Sequence, residues 1–76
     1  LYRNNLDNAQ DQFERSLRTA KTVNDHEGAS DALVQLAAIA EQRQNISLRQ
    51  NLLKDAANML RSNNLPVTGW LRENGF

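Results

Sequence analysis

Residues 28–40, GASDALVQLAAIA, decide the fold of this 76-residue chain. Leu33, Leu36 and the alanines around them recur at steps of three and four residues, which predicts a helix. Ala32 and Ile39 carry the apolar surface round toward a second side of that helix. The predicted core positions are Ala29, Leu33, Leu36, Ala37 and Ala40. A helix that is apolar on two sides needs two neighbours, so the sequence predicts a central helix between two others.

Amphipathic segments lie on both sides of this stretch. The segment before it is the predicted first helix, with Asn5 or Asp7 as its N-cap. The segment after it is the predicted third helix, with Ser47 as its N-cap. The predicted apolar stripe of the first comprises Leu6, Ala9, Phe13, Leu17, Ala20 and Val23. That of the third comprises Leu48, Leu52, Leu53, Ala56, Met59 and Leu60. No strand pattern competes, and the short connections favour antiparallel neighbours, so residues 1–76 are predicted to form a single all-α domain of helical hairpins.

Turn-forming residues separate the predicted helices. Residues 24–28 break the first pattern, and Gly28 is expected to take the positive φ that a tight connection requires. Pro66 ends the third helix, because proline removes a donor and biases the residue before it away from helical geometry. Thr68 is then the predicted cap of a short last helix that reaches Glu73. Trp70 is expected to pack over the open end of the core.

The composition excludes several classes of function. Lys and Arg equal Asp and Glu at nine each, so no net field attracts DNA, RNA or an acidic membrane. No apolar run approaches the ~20 residues needed to cross a bilayer, and no membrane association is expected. The absence of cysteine fits a cytoplasmic protein, and with His26 as the single histidine neither a metal nor another cofactor is expected.

Small and bulky residues follow one pattern in the two outer predicted helices and a different pattern in the central one. The sets are Ala9, Phe13 and Ser16 in the first, Leu36, Ala37 and Ala40 in the second, and Arg49, Leu53 and Ala56 in the third. This order resembles the tetratricopeptide repeat, although Arg49 stands where the family has a small residue and Ala40 where it usually has tyrosine. An offset of about forty residues relates residues 5–17 to residues 45–57, which lies within the range of helical-repeat arrays.

The resemblance, which covers residues 5–60, implies half a repeat, one whole repeat and a C-terminal capping helix in residues 66–76. It implies a fragment of a longer helical-repeat protein, since ~3 repeats are normally needed for stability. It also implies a non-catalytic adaptor that binds a peptide or partner helix on the exposed side of the second helix. The candidate partner-binding residues are Asp31, Val34, Gln35, Ala38, Glu41 and Gln42.

The sequence leaves three alternatives to the adaptor function open. Residues 37–56 have a faint helix-turn-helix look, with Arg49, Gln50 and Asn51 as possible readers of base edges, although the zero net charge disfavours a nucleic-acid partner. Self-association into a homo-oligomer is the second, through Tyr2, Val34, Trp70 and Phe76. An enzyme is the least expected, because His26 lies between two acidic residues in a predicted loop and no serine has an activating motif.

Overall fold

The computed structural model describes residues 2–67 and 69–76, with side chains described from residue 5 onward. It contains four α-helices: α1 at Tyr2–Thr22, α2 at His26–Gln42, α3 at Ile46–Ser62 and α4 at Gly69–Glu73. The described residues include no strand, so the all-α class and the arrangement of three long helices with a short fourth are confirmed. Thr68, the predicted cap of α4, lies outside the described residues.

Helix α2 occupies the middle of the molecule. It packs against α1 on one side and α3 on the other, whereas α1 and α3 share almost no contacts with each other. Ser30 Oγ, near the start of α2, donates to the carbonyl oxygen of Ala56 in the second half of α3, and Glu41, near the end of α2, pairs with Arg49 near the start of α3. The two contacts together show that these helices run antiparallel. The molecule is therefore flat, with principal extents of 40 × 28 × 17 Å.

The predicted apolar side of α2 is confirmed in full. The buried residues of α2 are Ala29, Ser30, Ala32, Leu33, Leu36, Ala37, Ile39 and Ala40. Their arc covers about half of the helix circumference, because a step of ~100° per residue spreads these positions over both flanks. The alanines within this arc let both neighbouring helices approach α2 closely.

The densest part of the core joins α2, α3 and α4. Leu33 and Ala37 of α2 belong to one buried cluster with three residues of α3 and one of α4. The other members are Leu53, Ala56, Leu60 and Leu71. Leu53 and Leu71 have the largest fully buried side chains among the described residues. Helix α4 thus contributes to the core through Leu71, which is fully buried.

The prediction that Trp70 covers the core end is wrong. Its side chain is 47% exposed, whereas Leu71 is 0% exposed. Adjacent residues on a helix point ~100° apart, so only one of the two can face the core. The orientation of α4 selects Leu71, while Val67 and Phe76 are partly buried against the same cluster.

The three joints between helices share one geometry. Asn24, Gln44 and Asn64 each adopt a left-handed conformation, with φ of 59°, 60° and 59°. In each joint a backbone N–H one residue later closes the turn at 2.8 Å. These bonds run from Asp25 to Ala20, from Asn45 to Ala40 and from Leu65 to Leu60. Positions 24, 44 and 64 are twenty residues apart. Two successive units of one helix and one turn, α2 with its turn and α3 with its turn, therefore together have the length of the forty-residue sequence offset.

The predicted first joint needs correction. Gly28 does not take a positive φ; it lies in the first turn of α2, and its backbone N–H donates to Asp25 Oδ1 at 3.0 Å. A Cβ at this position would collide with the Asp25 carboxylate. A side chain at position 28 would therefore displace the capping carboxylate of Asp25, and Asn24 supplies the left-handed residue.

Two other predicted helix starts are also wrong. Helix α1 already begins at Tyr2, which places Asn5 and Asp7 inside the helix. The N-cap of α3 is Asn45, whose Oδ1 accepts from the backbone N–H of Leu48 at 3.2 Å, and Ser47 lies within the first turn. Both residues are good caps by type, so composition alone did not separate them.

The predicted apolar stripes of the outer helices extend too far at their ends. Val23 is 66% exposed and Leu48 is 45% exposed, although both were expected in the core. Both lie at a helix end, Val23 just after α1 and Leu48 in the first turn of α3. Ala57 is buried at 1% exposure, although it was not included in the predicted stripe of α3.

We expect Asn45→Ala to lower the free energy of unfolding by about 1 kcal/mol, because the helix loses its capping acceptor. Ser47→Ala is the matched control and is expected to change it by less than about 0.5 kcal/mol. Urea unfolding followed by far-UV circular dichroism compares the two. A larger loss of unfolding free energy for Ser47→Ala than for Asn45→Ala would show that Ser47, the residue predicted from the sequence, is the N-cap.

Candidate functional site

The six candidate partner-binding residues lie along one side of α2. Their positions advance by steps of one, three and four residues, so they form a single stripe. We call this stripe the free face of α2; it comprises Asp31, Val34, Gln35, Ala38, Glu41 and Gln42. Five of them are exposed and Val34 is half-buried. The free face is the part of α2 that neither α1 nor α3 covers.

Val34 is partly a core residue. Its side chain packs against the cluster that contains Leu33, Leu53 and Leu71. A substitution at Val34 will therefore change stability together with any binding. Gln35 and Ala38 are exposed, so substitutions at these positions test binding to the free face with little change in stability.

An ion pair limits the charge at the C-terminal end of the free face. Arg49 Nε of α3 lies 3.6 Å from Glu41 Oε2 of α2. The Arg49 side chain is only 17% exposed, while that of Glu41 is 61% exposed. Arg49 is thus mostly buried, with its charge turned toward Glu41.

A cleft lies beside the N-terminal half of the free face. It has a volume of about 370 Å³ between α2 and the segment that leads into α4. Its lining residues are Glu27, Ser30, Asp31, Leu60, Pro66, Val67 and Gly69. Asp31 therefore belongs both to the free face and to this cleft. Helix α2 contains Glu27, Asp31 and Glu41 but no Lys or Arg. Since Glu41 is paired with Arg49, the carboxylates of Glu27 and Asp31 are the charges of α2 that line this cleft.

A second concave surface lies on the opposite side of α2, and sequence reasoning missed it. We call it the α1–α3 groove; it has a volume of about 350 Å³. Its lining residues are Gln10, Glu14, Leu36, Ile39, Ala40, Arg43, Asn45, Leu48 and Leu52. The groove exists because α1 and α3 flank α2 without closing over it. No local sequence signal marks it, since its residues come from three helices.

The surroundings of His26 differ from the sequence expectation. His26 is the first residue of α2, not a loop residue, and its side chain is half-buried. It borders a shallow cavity together with Lys21, Leu33 and Asp55. Within the described part of the chain, no three His, Asp or Glu side chains are grouped to hold a metal ion. Nor does any described helix combine the length and apolar character needed to cross a bilayer.

Comparison with protein-family models finds no match to this chain, and comparisons with curated proteins and with solved structures find none either. The resemblance to tetratricopeptide repeats thus stays a prediction.

Proposed function

We propose that this chain is a non-catalytic protein-interaction module that holds a peptide or a partner helix on the free face of α2. One observation carries the proposal: the most buried helix of the molecule leaves one continuous stripe uncovered. That stripe combines the small side chain of Ala38 with amides and carboxylates, a mixture that suits adaptable contacts with a peptide.

The repeated joints support the helical-repeat part of the proposal. Equal helix-and-turn units, each closed by the same hydrogen bond, are typical of solenoids in which every unit packs mainly on its neighbours. We include in the proposal that the chain is part of a longer array with α4 as its cap. A cytoplasmic location, suggested by the lack of cysteine, belongs to the same proposal.

The helix-turn-helix alternative has less support. Its two helices would cross at a large angle, but α2 and α3 are antiparallel over much of their length. Arg49, one of the proposed base readers, is paired with Glu41 and mostly buried. Gln50 and Asn51 are exposed, yet α2 beside them is acidic, which opposes approach of a phosphate backbone.

Self-association remains the other alternative. Among the residues proposed for it, Trp70 is exposed, whereas Val34 and Phe76 are half-buried and the Tyr2 side chain lies outside the described side chains. Sedimentation across a range of concentrations separates this alternative from the interaction module, because the fraction of dimer would rise with the protein concentration.

The free face can be tested with peptides selected from a random library against the whole chain. We expect Ala38→Arg and Gln35→Ala together to weaken a selected peptide at least about tenfold, a change equal to about 1.4 kcal/mol. The bulk of arginine would occupy the stripe, and the lost amide would remove a hydrogen-bonding group. Isothermal titration calorimetry measures the affinity, and thermal unfolding checks that the fold is unchanged.

Asn51→Arg is the matched control, because it adds the same side chain to an exposed position of α3. It is expected to leave the affinity within about twofold of the original. Peptides that bind the double variant as tightly as the original chain would exclude the free face as the binding surface.

A further inference from the structure

We propose that the α1–α3 groove is a second docking site, which takes an amphipathic helix of a partner protein. That helix would present one or two bulky apolar side chains to the groove and a lysine or arginine to Glu14. The inference is independent of the proposed function, because the groove and the free face lie on opposite sides of α2.

The separation of the two surfaces follows from helix geometry. Leu36, Ile39 and Ala40 supply the floor of the groove, and Ala38 belongs to the free face. At ~100° per residue, the groove positions centre on a direction nearly opposite to the free face. A ligand in the groove therefore contacts none of the residues of the free face.

The floor and one wall of the groove are apolar. Leu36, Ile39 and Ala40 of α2 form the floor and are themselves buried, so the free apolar surface comes mainly from Leu48 and the half-buried Leu52, which form the wall on α3. Leu48 is 45% exposed, so an occupant of the groove would remove apolar surface from water. A volume of about 350 Å³ is enough for one or two bulky side chains, not for a whole element of secondary structure.

The polar groups on the rim are already in use, with one exception. Gln10 Nε2 donates to Glu14 Oε1 at 2.8 Å. Asn45 Oδ1 accepts the capping hydrogen bond from the Leu48 N–H. Arg43 forms an ion pair with Asp7.

Glu14 is the exception in one respect. It accepts the hydrogen bond from Gln10, but among the described residues no Lys, Arg or His side chain forms an ion pair with its carboxylate. The rim therefore offers a partner one negative charge beside an apolar floor. The complementary partner carries apolar anchors and one cation, and an anionic ligand would meet repulsion from Glu14.

The walls of the groove favour a helix as the occupant. Both walls are helices, whose backbone groups are hydrogen-bonded within the helix, and the described residues offer no strand edge for an extended peptide. An occupant must therefore satisfy its own backbone, as a helix does. A helix also places anchors at positions i and i+4 on one side, which matches one or two apolar side chains entering a short groove.

The experiment uses two synthetic helical peptides. One has leucines at positions i and i+4 and lysines beside them, and the other has glutamates in place of the lysines. Each is titrated into the isotopically labelled chain, and the amide signals are followed by NMR. We expect the lysine peptide to bind saturably and to shift the amides of Leu36, Ile39, Leu48 and Leu52. The glutamate peptide is expected to bind at least about threefold more weakly.

Two variants test the two halves of the argument. Glu14→Gln keeps an acceptor for Gln10 but removes the charge, so it should weaken the lysine peptide about threefold and leave the glutamate peptide equal or tighter. Leu48→Asn removes apolar surface from the wall and should weaken both peptides by about tenfold. Both residues are exposed, so both variants are expected to fold.

Matched controls lie elsewhere on the surface. Glu73→Gln removes an exposed carboxylate from α4, and Val23→Asn removes an exposed apolar side chain after α1. Neither should change the binding of either peptide. Shifts confined to the free face, for example at Gln35 and Ala38, would overturn the groove proposal while supporting the proposed function. Equal weakening of both peptides by Glu14→Gln, or no saturable binding of the lysine peptide, would also overturn it.

Discussion

Leu53→Ala is expected to leave most of the chain unfolded at 25 °C. The Leu53 side chain is 0% exposed and lies in the cluster that joins α2, α3 and α4. Removing a buried leucine side chain costs about 2–5 kcal/mol, because transfer free energy is lost and a cavity is left behind. A domain of this size rarely has more than about 3–5 kcal/mol of stability from its core, so the loss is comparable to the whole.

Leu48→Ala is the control for this prediction, since it makes the same change in the same helix. Leu48 is 45% exposed, so its replacement should cost less than about 1 kcal/mol. Urea unfolding monitored by far-UV circular dichroism measures both variants. Equal losses at the two positions would show that Leu53 is not in the centre of the core.

Leu71→Ala is expected to destabilise the chain by about 2 kcal/mol or more, although it lies in a helix of only five residues. Leu71 is 0% exposed and belongs to the same cluster as Leu33 and Leu60. Because α4 contributes its buried surface through this side chain, its loss should also release α4 from the rest of the molecule.

Trp70→Ala removes a larger side chain from the adjacent position, which makes it a strict comparison. Trp70 is 47% exposed, so we expect the loss to stay below about 1 kcal/mol. Thermal unfolding of the two variants ranks them, with the midpoint of Leu71→Ala lower by several degrees. A lower midpoint for Trp70→Ala would restore the tryptophan as the residue that covers the core.

The interior of α2 was predictable from its sequence. Its apolar residues are spread over two flanks, and a helix with that pattern is stable only between two neighbours. For the same reason the stripe from Asp31 to Gln42 could be recognised as the exposed side of α2, and five of its six residues are exposed, while Val34 is half-buried. The spacing of apolar residues predicts burial correctly here, because in the middle of a long helix the direction of each side chain follows directly from its position in the sequence.

The ends of the helices were less predictable. Asn45 and Ser47 are equally good caps by type, and only the folded backbone shows that Asn45 accepts the hydrogen bond. Val23 and Leu48 continue the apolar spacing but are exposed. The apolar spacing of one helix does not show where the neighbouring helix ends, and a residue beyond that end is exposed.

The sequence by itself determined an all-α chain with a central helix and one exposed polar stripe, because helical periodicity and turn residues are local properties. Only the tertiary structure decided between Trp70 and Leu71, since the choice depends on how α4 is turned toward α2 and α3. Only the tertiary structure created the α1–α3 groove, because its walls come from helices that are distant in the chain and are held apart by the width of α2.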